Sequence, residues 1–265
     1  MKTLEDVKTG KERLTIKSML VGESGSGKTH LAATHPKCYF LITEPGGKDT
    51  FLTNPNLQKN IVGWDEFIPQ SIEDTKDVFD RLEKAIVEAK RMALEGKIET
   101  LVLDNLTFLS ENRWMYIGKY EPTYSGKSGE IDTRGMYGTL SRWLYQFILM
   151  KILTFPGNVV VTCHEMLESD DNMEKKPDKT TPILANILGG FRDKADGMFS
   201  LVLFLSKVKS NDGKFHYFAR TNKGMGRNAK SRFYNLPEVI ENVSFQTILE
   251  VINKTMEVGN AGRKV

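Results

Sequence analysis

A glycine-rich run near the amino terminus has the residue types and spacing of a phosphate-binding loop. Residues 22–29 read GESGSGKT and match the pattern G-x-x-x-x-G-K-[ST]. Glycines let the backbone turn its N–H groups toward phosphate oxygens, and the helix that follows adds the positive end of its dipole. Lys28 provides a cation for the β- and γ-phosphates, and the Thr29 hydroxyl is a ligand suited to Mg²⁺. The predicted ATP-binding residues are Gly22, Glu23, Ser24, Gly25, Ser26, Gly27, Lys28, Thr29 and His30.

Two carboxylates at the ends of apolar runs are candidates for the metal and the base. Asp104 ends the run TLVLD, the place of a Walker B carboxylate that holds Mg²⁺ with Thr29, although such an Asp is also a common helix N-cap. AAA+ proteins usually place the base directly after this Asp, where Asn105 cannot accept a proton usefully. RecA-like proteins place a Glu just past the strand after the phosphate-loop helix, and Glu44 holds that place. We predict that Glu44 takes a proton from, or orients, the attacking water; the alternative is an ordinary loop carboxylate.

Short apolar runs alternate with helical periodicity, which predicts the sheet that positions these residues. The runs CYFLI and VVVTC read as buried strands, and one apolar face predicts a helix from Ser71 to Glu95, where Ser71 and Asp74 resemble a capping box. This alternation favours an α/β fold with a mainly parallel central sheet flanked by helices. Further strands are predicted at 14–21, near 61, and at 100–103, 201–205 and 215–219. Further helices are predicted at 28–35, 105–119, 140–153 and around 245–256, with loops at 120–138 and 165–181.

Composition excludes several classes of protein. The 265 residues are 40% apolar and 27% charged, which excludes a disordered chain, and the net charge of +3 excludes a uniformly basic protein of histone type. Two cysteines cannot form a disulfide framework, and the longest apolar stretch, Trp143 to Phe155, is too short and polar to span a bilayer. We expect a cytoplasmic protein without a signal peptide or membrane contact. Its predicted parts are an N-terminal arm at 1–13, an ATPase core at 14–234 and a C-terminal helical appendage at 235–265.

The ordered motifs resemble those of RecA-like P-loop ATPases. The segments GESGSGKT, LITEPGG, LVLDNLTFL, RGMYGTLSRW and VVVTCHE most resemble the phage nucleotide-binding (AAA-type) family that includes the fourth Sak group of single-strand annealing proteins. The resemblance covers residues 14–234 and implies a RecA-like P-loop NTPase core, with strand Val159–Cys163 between the phosphate-loop and Walker B strands. It also implies that His164, where RecA has a Gln, senses the γ-phosphate and relays its loss to a DNA-binding loop. The alternative is a strand-end His that bonds to the backbone.

A basic segment near the carboxyl terminus is a candidate surface for nucleic acid. Eight basic residues and one acid lie between Lys207 and Arg232, interleaved with aromatic residues that can stack on bases. The alternative is a solvated hairpin whose lysines protect an edge strand. By the resemblance, Arg220 or Lys223 acts on the ATP of a neighbouring subunit. The predicted DNA contacts are Lys127, Arg134, Tyr137, Lys207, Lys209, Arg227 and Lys230.

The resemblance and these residues together predict an Mg²⁺-dependent, DNA-stimulated ATPase that binds single-stranded DNA and promotes annealing or strand exchange in phage recombination. We expect self-association as a ring or filament, action in the host cytoplasm, and a single-strand-binding protein as a partner. The alternatives are a helicase or loader motor and a nucleotide switch that regulates a protein partner. The segment 165–181 departs from this expectation, because its six acids against three lysines repel a phosphate backbone.

Overall fold

The computed structural model describes residues 14–124, 129–167, 182–210, 213, 215–234 and 236–261, and one sheet carries the fold within them. Its described strands are β1 Lys17–Gly22, β2 Cys38–Ile42, β3 Ile61–Glu66, β4 Thr100–Asp104, β5 Asn158–Leu167, β6 Ile183–Ala185, β7 Leu201–Lys209, β8 Phe215–Arg220, β9 Lys230–Ser231 and β10 Val239–Glu241. They lie in the order β10-β8-β7-β1-β5-β4-β2-β3, with β6 beside β5 and β9 beside β7.

Helices cover both faces of this sheet. The described helices are α1 Lys28–Ala33, α2 Asp49–Leu52, α3 Pro55–Gln58, α4 Thr75–Leu94, α5 Leu106–Tyr120, α6 Thr133–Gln146, α7 Arg192–Met198 and α8 Phe245–Ala261, and a π-helical turn, Phe147–Ile152, continues α6. One core cluster joins α4, α5 and α6 to the sheet, and a second joins α1 and α8 to it. Successive residues of β4 alternate between them, with Leu101 and Leu103 in the first cluster and Val102 in the second. The central strands are therefore buried on both faces, as their continuous apolar runs predicted.

The strand order brings the carboxyl ends of four parallel strands, β1, β2, β4 and β5, to one edge of the sheet. β5 lies between β1 and β4 and is parallel to both, while β2 is parallel to β4 on its other side. The segments that follow β1, β2, β4 and β5 therefore meet, as polar loops do at the carboxyl ends of parallel strands. The predicted α/β fold, with a mainly parallel central sheet flanked by helices, is confirmed. The predicted place of the strand Val159–Cys163, between the phosphate-loop and Walker B strands, is also confirmed.

Two predicted loops contain regular structure, which corrects the sequence-based boundaries. α6 begins inside the predicted loop 120–138, because the Asp132 carboxylate caps it and accepts a hydrogen bond from Gly135 N at 2.9 Å. β5 continues into the predicted loop 165–181 as far as Leu167, because its end pairs with β6. The rest of the second loop, residues 168–181, lies outside the described residues.

The helix that the sequence predicts from Ser71 begins later. The Asp74 N–H donates to Ser71 Oγ at 3.3 Å in a turn, and α4 starts at the residue after Asp74. The helix ends at Leu94, one residue before the predicted end, and Gly96 just beyond it has a left-handed φ of 72°, as is common after a helix. The apolar run at 140–153 is a helix in two parts, the second half of α6 and the π-helical turn.

The carboxyl-terminal segment packs on the strands that precede it. β10 pairs with β8, and Phe245, Ile248 and Ile252 of α8 are buried in the second core cluster. The bounds of the arm, core and appendage stay a prediction, and the arm at 1–13 lies outside the described residues. No described helix combines the length and the apolar character that crossing a membrane requires.

His35, just after α1, is buried and joins α1 to α8. Its Nδ1 donates to the carbonyl oxygens of Leu31 and Ala32, at 3.2 and 3.1 Å, and its ring centroid lies 4.3 Å from that of Phe245. Burial lowers the pKa of His35 from 6.5 to about 4. The unfolded chain therefore binds a proton at a higher pH than the folded chain, and stability falls as the pH drops through this interval.

We expect His35 to remove about 2.5 kcal/mol from the free energy of unfolding between pH 7 and pH 4.5. The measurement is urea unfolding at both pH values for the parent and for His35→Asn, which keeps a side-chain donor but cannot titrate. The variant should lose less stability on acidification than the parent by that amount, because both chains share the same carboxyl groups. Equal losses in the two proteins would contradict the prediction.

Candidate nucleotide-binding site

The phosphate loop lies between β1 and α1, at the carboxyl edge of the parallel strands. Gly25 and Gly27 have left-handed φ angles of 72° and 92°, which glycine adopts without steric cost. At Gly22 a Cβ atom would lie 2.5 Å from Ser26 Oγ and 2.6 Å from the Leu205 carbonyl oxygen, so only glycine fits there. Ser26 Oγ is buried and has no hydrogen-bond partner in the described part of the chain. A curled loop with an unused hydroxyl fits an anion with several oxygen acceptors.

The Lys28 ammonium folds back across this loop. Its Nζ donates hydrogen bonds to the carbonyl oxygens of Gly22 at 3.0 Å and Glu23 at 2.8 Å, and the side chain is buried. Burial lowers the pKa of Lys28, while the nearby carboxylates of Glu44 and Asp104 act to raise it. The cation therefore lies inside the loop, where phosphate oxygens can replace the two carbonyl groups as acceptors.

Asp104 and Thr29 form the candidate metal site. Thr29 Oγ1 donates to Asp104 Oδ2 at 2.8 Å, and Thr162 Oγ1 donates to the other carboxylate oxygen. Burial raises the pKa of Asp104, although these two hydrogen bonds act to lower it. The N-cap of α5 is Asn105, whose Oδ1 accepts from Phe108 N at 3.0 Å, so the N-cap alternative for Asp104 is wrong. A hydroxyl and a carboxylate beside a phosphate loop are oxygen donors that fit Mg²⁺.

Glu44 follows β2, and each oxygen of its carboxylate contacts one side chain. Asn105 Nδ2 donates to Oε2, and His164 Nε2 lies 3.4 Å from Oε1. Burial acts to raise the pKa of Glu44, but His164, Lys28 and Asn105 outweigh burial and hold that pKa below its usual range. Glu44 is therefore ionised at neutral pH, the state that a general base requires.

His164 lies beside Gly22 near the carboxyl edge, where β5 pairs with β1. Its ring contacts the Glu44 carboxylate. The alternative for His164 expected a bond from this side chain to the backbone instead. The next residue, Glu165, forms an ion pair with Arg227, with Nη2 and Oε1 3.1 Å apart. Two adjacent residues of one strand therefore connect the candidate base with the basic segment.

A cavity of about 330 Å³ opens over the phosphate loop and is bordered by the candidate base, His164 and Tyr217. A second cavity of about 210 Å³ shares Gly27, His30 and Tyr217 with the first and extends to the turn at 242–244. One polar end and one more apolar end suit the phosphates and the base of a nucleotide. A larger cavity, about 650 Å³, lies at the opposite edge of the parallel strands and contains none of the predicted site residues.

Sequence reasoning missed two residues at this site, Thr162 and Tyr217. Thr162 lies within an apolar strand, and its contact with Asp104 depends on the pairing of β5 with β4. Tyr217 covers the loop, since its Cδ1 lies 3.0 Å from the place of a Cβ at Gly27. The sequence marked Tyr217 only as an aromatic residue of the basic segment. Its position becomes predictable once β7 and β8 are paired, because Tyr217 then lies opposite Lys207.

The predicted DNA-contacting cations differ in what they bind within the chain. Lys207 and Lys209 are exposed on β7, and Lys207 Nζ lies 5.3 Å from the Phe215 ring centroid. Arg227 is held in its ion pair, and Lys230 Nζ donates to a backbone carbonyl of α7 at 3.2 Å. The first two therefore present their charge to a ligand more readily than the last two, and the DNA-binding role of all four stays a prediction.

The remaining DNA candidates belong to the region of α6. Arg134 and Tyr137 are exposed on this helix, and the Tyr137 ring stacks on Trp114 with the centroids 4.2 Å apart. Lys127 lies outside the described residues.

The two cations predicted to act on a neighbour's ATP, Arg220 and Lys223, also differ in their exposure and in their ion pairs. Arg220 pairs with Glu238 of the same chain, contacts Met225 Sδ at 3.5 Å and has a side chain only 13% exposed. Lys223 is exposed and forms no ion pair within the described residues. Of the two, Lys223 is the more available to a second subunit.

Comparison with known proteins gives one family. A family model described as an AAA domain matches residues 14–233 of the chain. The chain is also similar to the crystal structure of a KaiC-like protein from the hyperthermophilic archaeon Pyrococcus horikoshii OT3, with 13% identity, a TM-score of 0.36, and coverage of 79% of this chain and 80% of that one. A search of curated proteins finds no match. The family match includes every residue of the candidate nucleotide site except the turn at 242–244.

Proposed function

The chain belongs to the AAA domain family as a P-loop ATPase of AAA and RecA-like type, and from this premise we propose that it couples ATP hydrolysis to binding of single-stranded DNA. Within the family we assign it to the phage nucleotide-binding proteins that include the fourth Sak group, on the ordered motifs from GESGSGKT to VVVTCHE. The activity that follows is ATP-dependent annealing or strand exchange in the host cytoplasm.

ATP hydrolysis would use the groups that meet at the carboxyl edge of the sheet. Lys28 and the loop N–H groups hold phosphate oxygens, while Thr29 and Asp104 hold Mg²⁺, which neutralises phosphate charge when bound. Glu44 orients the attacking water or takes its proton, and it must first exchange one of its two side-chain contacts for that water. His164 senses the γ-phosphate through the same carboxylate.

One observation carries the DNA-binding part of the proposal, a set of four exposed side chains on one face of the β7–β8 hairpin. The register pairs Lys207 with Tyr217 and Lys209 with Phe215, so these four residues share a face. We call them the β7–β8 strip. Lysines attract phosphates and aromatic rings stack on bases. Because Tyr217 also borders the cavity over the phosphate loop, DNA on the strip would lie against the nucleotide site.

We also propose that the chain self-associates, with ATP at the interface between subunits. Lys223 is exposed and forms no ion pair within the described residues. A cation that acts on a neighbour's ATP must be free in this way before the subunits assemble. In this arrangement DNA binding favours assembly, and assembly completes the catalytic site.

Single-stranded DNA should raise the rate of ATP hydrolysis, and rising salt should suppress that stimulation. The measurement is steady-state hydrolysis without DNA, with single strands and with duplex, over a range of salt concentrations. In the double variant Lys207→Ala/Lys209→Ala, the slope of log affinity for single strands against log salt should fall by about 1.4, at about 0.7 per lost phosphate contact. Lys84→Ala, which removes an exposed cation from α4, is the control and should match the parent.

Two results would replace this proposal with an alternative. Duplex unwinding without annealing would indicate a helicase or loader motor. Hydrolysis that does not respond to single strands at any salt concentration would indicate a nucleotide switch for a protein partner.

A further inference from the structure

A groove between α6 and α7 carries cations that neither the nucleotide site nor the β7–β8 strip uses. Its volume is about 330 Å³, and Arg142 and Tyr145 of α6 and Lys194 of α7 line it. Ser141 and the buried Phe191 also line it. We call this cavity the α6 groove.

Glycines give the α6 groove its shape. A Cβ atom at Gly138 would meet nothing within 4 Å, and one at Gly190 would come no closer than 3.9 Å to Ser141 Oγ. Gly189 has a left-handed φ of 75°, and a Cβ there would lie 2.8 Å from the same hydroxyl oxygen. The backbone before α7 is therefore pressed against α6 at Gly189, while the space beside Gly138 and Gly190 stays open.

The α6 groove is positively charged. Arg142 and Lys194 are both exposed, no carboxylate lines the cavity, and neither cation forms an ion pair in the part of the chain that the structure describes. Like charges held together without a counter-charge favour a bound anion. Tyr145 is 43% exposed and presents an aromatic face beside these cations. Arg134 lies on the same helix, about 12 Å before Arg142 at 1.5 Å per residue.

We propose that the α6 groove binds single-stranded DNA as a second contact, separate from the β7–β8 strip. The inference rests on the proposed function and adds a site to it. Cations along a helix can contact phosphates of one strand, and an exposed aromatic ring can stack on an unpaired base. Paired bases cannot reach such a ring, so the groove selects single strands over duplex.

The test uses two variants of Gly138 that differ in charge. Gly138→Glu places a carboxylate beside the groove, and Gly138→Ala adds the same Cβ without charge; a Cβ at this position meets no atom within 4 Å. Affinity for fluorescently labelled oligothymidylate is measured by anisotropy over a range of salt concentrations. Gly138→Glu should bind about tenfold more weakly than Gly138→Ala, as expected for the loss of one charge-assisted contact. Arg142→Ala/Lys194→Ala should lower the salt slope by about 1.4.

Each other outcome has a definite meaning. A parent protein that binds no oligothymidylate contradicts the proposed function itself. If the parent binds oligothymidylate and the two Gly138 variants bind it with equal affinity, the role of the α6 groove is overturned while the proposed function stands. A change in oligomer size in Gly138→Glu at unchanged DNA affinity makes the groove a protein interface and also overturns the inference. Thermal unfolding of each variant separates these effects from loss of the fold.

Discussion

Replacing Glu44 with glutamine is expected to lower kcat for ATP hydrolysis by about 10²–10⁴-fold, the range that a positioned general base contributes. Glutamine has nearly the shape of glutamate, and its amide oxygen can still accept the hydrogen bond from Asn105. The phosphate loop and the Thr29–Asp104 pair are unchanged, so the affinity for ATP should remain close to that of the parent. The measurements are steady-state hydrolysis and binding of a fluorescent ATP analogue.

A matched change at another strand end separates chemistry from structure. Glu66 ends β3, lies opposite Ile42 of β2 and pairs with Lys48, so Glu66→Gln alters a carboxylate close in sequence and fold but outside the nucleotide cavity. This control should keep the parent rate. An unchanged kcat in Glu44→Gln, or an equal loss in both variants, would remove Glu44 from the role of base.

The meeting of polar residues at one edge of the sheet was predictable because the motifs of the candidate site follow buried strands. Continuous apolar runs indicate strands covered on both faces, and a polar residue at the end of such a run indicates the edge where loops meet. Asp104 was found in this way, whereas Glu44 was found from the place that RecA-like proteins give to their base. The resemblance to RecA-like proteins then placed the strand Val159–Cys163, which periodicity alone could not do.

The boundaries that the sequence missed depend on contacts between segments. β5 extends to Leu167 only because β6 pairs with it, and those two strands are separated by residues 168–182. The start of α6 depends on one cap, Asp132, inside a segment rich in Gly, Ser and Tyr, which are typical of loops. Composition was a poor guide there because a single side chain can begin a helix.

The sequence also could not predict which basic side chains form ion pairs within the chain and which remain open to a ligand. A count of charges treats Lys207, Arg227 and Lys230 alike, yet Arg227 pairs with Glu165, 62 residues away. Arg220 likewise pairs with Glu238 across the contact between β8 and β10. Such pairs form only when the segment after β8 meets β5 and when β10 pairs with β8, so single-sequence reasoning could name the basic segment but not its free members.

Lys223→Ala is expected to lower kcat by about 10³-fold while leaving ATP binding unchanged, if its ammonium acts on the phosphoryl group of a neighbour's ATP. Charge develops on that group only as it transfers, so the cation stabilises the transition state more than bound ATP. The measurement is hydrolysis by the assembled protein with single-stranded DNA. Arg220→Ala should have a smaller effect, because its guanidinium is already paired with Glu238.

Mixing two inactive variants distinguishes action between subunits from action within one. In an equal mixture of Glu44→Gln and Lys223→Ala, an interface is complete when the subunit that binds ATP supplies Glu44 and its neighbour supplies Lys223. Random assembly completes roughly a quarter of the interfaces, so about a quarter of the parent activity should return although each variant alone is inactive. If Lys223 acted within its own subunit, no site in the mixture would contain both residues. The mixture would then stay as inactive as its components, and the proposed interface role of Lys223 would be wrong.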